Sequence, residues 1–190
     1  TANVPSYDSA IFDMGCSTIS PPTTTPNIVY CLGAVASQLS ATPLPGAVIK
    51  WFDGQFNPLI QAPIPSTAVS GVFTYYVGQL TSNGISALIP IVVTVNPVPV
   101  VNAGADVTVC AGTPVTLSGS GASTYTWNNV VSNGVAFTPT ATTTYTVTGT
   151  NANGCVNTDQ VVVTVNALPF VGAGADVTVC AGTAVTLSGT

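Results

Sequence analysis

One stretch of this chain occurs twice. Residues 101–119, VNAGADVTVCAGTPVTLSG, return at 171–189 as VGAGADVTVCAGTAVTLSG, so that Asp106 and Asp176 stand 70 positions apart. The lead-in repeats as well: VVTVNPVPVV at 92–101 becomes VVTVNALPFV at 162–171. A period of this length is one small β-sandwich and is longer than a solenoid repeat. The chain is therefore written as copies of one module. Residues 97–166 form one complete copy, and 167–190 hold the first two strands of a truncated third repeat. Residues 21–96 are a diverged relative in which Cys31-Leu32-Gly33 answers Cys110-Ala111-Gly112, Trp51 answers Trp127, and Tyr75 and Val77 answer Tyr145 and Val147. Residues 1–20 are an N-terminal segment or the tail of a preceding unit. The joints at 96–99 and 166–169 each carry proline, which stiffens a short connection, so a beaded rod is expected.

The residue types say what each bead is. Thr and Val occur 29 times each among 190 residues, and β-branched side chains suit a pleated surface. Apolar and hydroxyl residues alternate at Val115–Ser118, Thr124–Trp127 and Tyr145–Thr148, the period of a half-buried strand. Gly- and Asn-rich turns separate them. No window has helical apolar spacing, and no apolar run reaches the roughly 18 residues of a membrane-spanning helix. The expectation is an all-β chain of tandem antiparallel β-sandwich domains, immunoglobulin-like in pattern. Alternation points Trp51, Trp127, Tyr75 and Tyr145 inward as core aromatics. Tyr76, one position out of step, faces the other side and is a candidate contact residue.

Charge limits the chemistry. Only 4% of residues are charged: Lys50 and six Asp, with no Arg, Glu or His. A nucleic-acid site needs several cations to neutralise phosphates, so no nucleic-acid partner is expected. General acid–base catalysis has only scattered Asp to draw on, and no catalytic residue is assigned. Without His or a CxxC pair a metal site lacks its usual ligands, so no metal or cofactor is expected. Asp106, Asp159 and Asp176 read as turn caps.

Two stretches also resemble a known family. YCLGAVASQLSATPLPGAVIKWFD, with TYYVGQLTSNG and VVTVNP, resembles the Ig-like domain found in tandem in secreted and surface proteins of Bacteroidetes. NAGADVTVCAGTPVTLSG, with YTWNN, TPTATTTYTVTGTNANGC and VVVTVN, is similar to the related Ig-like or PKD-like repeat of gliding adhesins. Together they span about 170 residues. The resemblance implies an extracellular, cell-surface location and export by the type IX system. In that setting cysteines pair as disulfides. Cys110 and Cys155 are the candidates inside 97–166 and are expected to bridge. Position 85, the counterpart of Cys155, holds Ile85, so Cys31 is expected to pair with Cys16, and Cys180 with a partner outside the chain. Asp8-Ser9-Ala10 resembles the O-glycan acceptor of these proteins, which makes Ser9 the glycosylation candidate.

Three functions fit these observations. The first is a non-catalytic structural and adhesive segment of a large surface protein, contacting further repeats, neighbouring copies or surface glycans. The second is a subunit of a polymeric filament or sheath built by edge-strand or donor-strand pairing, which low charge at strand edges would permit. The third is an accessory region of a secreted enzyme.

Overall fold

The computed structural model describes residues 19–189. These contain fourteen strands and no helix, as the scarcity of helical spacing requires. The chain divides between Val98 and Pro99 into two compact units, each an Ig-like β-sandwich.

In the first unit, β2 (Asn27–Cys31), β4 (Val48–Phe52), β5 (Pro58–Leu59), β6 (Gly71–Thr81) and β8 (Ile89–Asn96) form one sheet in the order β2-β8-β6-β4-β5, with β7 (Gly84–Ile85) paired to β6. A second small sheet joins β1 (Thr23–Thr24) to β3 (Ala41–Thr42). The burial of β8 alternates strictly from Ile91 to Asn96, the signature of one packed face and one wet face. Leu39, Trp51, Val77, Ile91, Val93 and Val95 make the core.

The second unit has a four-stranded sheet of β11 (Thr124–Trp127), β13 (Thr143–Thr150), β14 (Val156–Asn166) and β9 (Val107–Cys110), in that order, and a small sheet of β10 (Val115–Thr116) with β12 (Ala136–Phe137). Its core holds Val101, Val115, Leu117, Trp127, Tyr145, Val147, Val161 and Val163. Most pairings are antiparallel. In both units, however, an early strand runs parallel to the last one: β2 beside β8 and β9 beside β14. The two ends of each module are thereby tied into one sheet.

Residues 167–189 differ from the sequence expectation. They form no strand, although 176–187 nearly copy 106–117. The local turn survives: Thr183 N–H donates to the Cys180 carbonyl at 3.1 Å, as Thr113 does to Cys110 at 3.1 Å. What is missing is the partner. In the second unit β9 owes its strand character to Val163–Asn166, and no equivalent of that segment follows among the described residues. Val185 and Leu187 are therefore 43% and 76% exposed, where Val115 and Leu117 are 6% and 3%. Alternation specifies a strand only when something pairs with it.

Candidate functional site

The aromatic pairs sit at matching places in the two sheets. Trp51 lies opposite Val77 on β4 and β6, and Trp127 opposite Val147 on β11 and β13. Both indoles are buried. The Trp127 indole N–H donates to Asn133 Oδ1 at 3.0 Å, and the same oxygen accepts the Gly119 N–H at 2.7 Å. Tyr145 is buried against Phe137, with ring centroids 5.1 Å apart. Tyr75 is only partly buried, and removal of its hydroxyl from water pushes its pKa above the ordinary phenol value.

The cysteines depart from expectation. Cys110 is exposed and carries a free thiol, whereas Cys155 is fully buried and disulfide-bonded. The Cys110–Cys155 bridge is not formed, and the register explains why. Cys110 lies beside Asn166, the last residue of β14, while Cys155 immediately precedes its first residue, Val156. Eleven positions of extended strand separate the two places, roughly 35 Å at 3.3 Å per residue, against a disulfide reach of about 7 Å between Cα atoms. Cys31, the last residue of β2, is disulfide-bonded. Cys180 is exposed with a free thiol. Cys16 and Ser9 lie outside the described residues.

The aspartates are more than local caps. Asp159 Oδ2 accepts the Ala103 N–H at 2.8 Å and Asp106 Oδ1 accepts the Val162 N–H at 2.8 Å, each across 56 positions of sequence. Together they fasten the start of the second unit to β14. The Ala103 N–H, then that of Gln160, holds the Asp159 carboxyl below the ordinary carboxylate range. Among the described residues no group of three His, Cys, Asp or Glu side chains is placed to hold a metal ion.

Two features were not visible in the sequence. The first is Gln79, fully buried on the core side of β6. Its amide oxygen Oε1 accepts the Leu44 N–H at 2.8 Å, Nε2 donates to the Ser20 carbonyl at 2.6 Å, and its backbone N–H donates to Ser86 Oγ at 3.0 Å. A buried amide so satisfied ties three segments together, and one left unsatisfied would be costly.

The second is the turn Asp53-Gly54-Gln55-Phe56-Asn57. Asp53 Oδ1 accepts the N–H groups of Gln55 at 2.9 Å and Asn57 at 2.8 Å, and Oδ2 accepts Asn57 Nδ2 at 2.9 Å. The Asn57 bonds, the side-chain one foremost, lower the Asp53 pKa. This lattice holds Phe56 at φ = +63°, a left-handed conformation that costs a bulky L residue about 1–2 kcal/mol. The Phe56 ring stacks on Tyr76 with centroids 4.3 Å apart and planes 26° apart, and 55% of the residue remains exposed. Tyr76 was singled out by its position opposite the core face; its partner was not.

No helix of the described residues is long and apolar enough to cross a membrane. No family model matches the chain, and no curated protein matches it. Solved structures do. Immunoglobulin domains 1–4 of Sidekick-1 align at 16% identity over 81% of this chain and 53% of that one, with a TM-score of 0.32. The insect immune protein hemolin aligns at 16% identity over 81% and 49%, TM-score 0.38, and the IG1+IG2 pair of DIP-gamma at 13% over 77% and 98%, TM-score 0.31. The chain spans about half the length of the Sidekick-1 and hemolin structures.

Proposed function

We propose that this chain is a non-catalytic, extracellular structural and adhesive repeat segment of a large bacterial surface protein. The observation that carries the reading is repetition: two β-sandwich units follow one another, and the sequence that opens the second recurs at 171–189. Disulfide-bonded Cys31 and Cys155 support an oxidising, extracellular setting. The hydroxyl-rich, nearly uncharged surface supports a role in contact rather than in catalysis. Antibodies raised against the 190-residue chain should label intact producing cells as strongly as permeabilised ones. Labelling only after permeabilisation would overturn the reading.

A second reading, a subunit of a polymeric filament, is favoured by residues 176–187. They carry the β9–β10 sequence but leave its apolar side chains exposed. Pairing with a further repeat of the same polypeptide, or with a neighbouring copy, would cover them. Electron microscopy of the native material separates the two: helical order supports the filament, and isolated threads support the segment of a longer surface protein.

A further inference from the structure

The Asp53–Asn57 turn lies beside an interrupted strand edge. β4 pairs with β6 only as far as Phe52 opposite Tyr76, while β6 continues to Gly71 with β8 alone on its other side. The turn occupies the place where β4 would have continued. It sits so close that a Cβ added at Gly54 would lie 3.0 Å from the Thr74 carbonyl oxygen. The turn thus closes over the β6 edge at Thr74. What remains is an open cleft of about 360 Å³ lined by Asp53, Gln55, Val72, Phe73 and Thr74. That volume is at the small end of ligand sites, the size of one or two sugar rings.

The chemistry around the cleft is that of a sugar site. Phe56, next along the turn from the cleft residue Gln55, is 55% exposed, stacks on Tyr76 and is held at φ = +63°. Strain of this kind clusters at active sites and ligand clamps. Asp53 uses three of its roughly four acceptor positions inside the turn, which leaves Oδ2 able to accept one hydroxyl. Gln55 and Thr74 add an exposed amide and a hydroxyl, each able to donate and accept. Lys50 is the one cation of the whole chain and lies opposite Gly78, further along β6, so nothing here favours a phosphate, sulfate or uronate. A half-exposed aromatic ring in the same turn as an amide and one open carboxylate acceptor, with the Thr74 hydroxyl beside them, matches the alternating C–H and O–H faces of a pyranose.

We propose that the Asp53–Asn57 turn and the adjoining end of β6 bind a neutral pyranose unit of a glycan, stacked on Phe56. This names the ligand class for the adhesive half of the function proposed above and rests on that half. The test is affinity electrophoresis and saturation-transfer NMR of the full chain against soluble neutral polysaccharides (β-glucan, mannan, xylan and galactan), with polygalacturonate as the charged control. At least one neutral glycan should retard the protein and polygalacturonate should not. Phe56→Gly should weaken that binding about tenfold, the order expected for removing one stacking face. Glycine also accepts the positive φ, so its melting temperature should not fall. Gln55→Ala, which leaves the turn bonds in place, should weaken binding by a smaller factor. Failure of all four neutral glycans to bind, or binding that Phe56→Gly leaves unchanged, overturns the proposal. Surface labelling of intact cells that persists after such a failure would leave the structural part of the function standing.

Discussion

The two units share a register and differ in what they do with it. Tyr75 faces Ile91 and Tyr145 faces Val161, each residue 70 positions from its counterpart. Yet 26 positions separate Trp51 from Val77 and only 20 separate Trp127 from Val147. The longer connection of the first unit carries the Phe56 turn. A second contrast lies inside. Gln79 fills a buried place in the first unit where the second has Gly149. There an added Cβ would meet Val101 Cγ2 at 2.6 Å and Ala122 at 2.8 Å. One module thus supports two interiors, a polar tie in one case and close backbone approach in the other.

The cysteines offer the largest contrast, because the outcome is all or none. Alkylation of the native, unreduced chain should modify Cys110 and Cys180 and spare Cys31 and Cys155. Recovery of a peptide pair joining Cys110 to Cys155 would break the register assigned to β9. Next in size are the tryptophans, one per unit and therefore separate fluorescent reporters. Trp127→Ala should cost the second unit about 4 kcal/mol, so that far-UV circular dichroism shows its loss at low denaturant while Trp51 fluorescence still reports a folded first unit. A single shared loss would mean that the units do not fold independently.

Exchange of the interiors tests the second contrast. Gln79→Leu strands the Leu44 N–H and the Ser20 carbonyl and should cost the first unit about 3 kcal/mol. Gly149→Ala overpacks the second unit and should cost about 2 kcal/mol. Both are read as shifts in the urea midpoint followed at Trp51 and Trp127. If Gln79→Leu were neutral, the buried amide would be filler rather than a tie.

Much of this was legible because repetition and alternation are both periodic signals. The 70-residue offset matched Tyr75 and Val77 to Tyr145 and Val147, and alternation placed both tryptophans inward. Other features depend on which segments meet, which spacing along the chain does not encode. Cys110 and Cys155 shared a repeat, and only the parallel pairing of β9 puts them at opposite ends of β14. Gln79 has the alternation of a core residue and the chemistry of a surface one, and its three partners come from three loops. Asp159 has the look of a turn cap until Ala103 arrives from 56 positions away.

That last residue supplies the smallest effect, and it again separates the units. Asp53 and Asp159 both have carboxyls held below the ordinary value of 3.8. A group whose folded pKa is depressed stabilises the fold fully above its unfolded value and loses that contribution as pH falls through the folded value. Asp53 bonds only to Gln55 and Asn57 within its own turn, so its protonation loosens Phe56. Asp159 bonds to Ala103, so its protonation releases the start of the second unit from β14. Between about pH 5 and pH 3, one unit either side of an ordinary carboxylate, the urea midpoint reported by Trp127 should fall. The midpoint reported by Trp51 should fall as well, through Asp53, and Asp53→Asn should flatten it while leaving the Trp127 profile unchanged. Asp159→Asn should flatten the Trp127 profile. A profile unchanged by that substitution would place the acid sensitivity of the second unit elsewhere and remove the bond to Ala103 from the account of how its ends are joined.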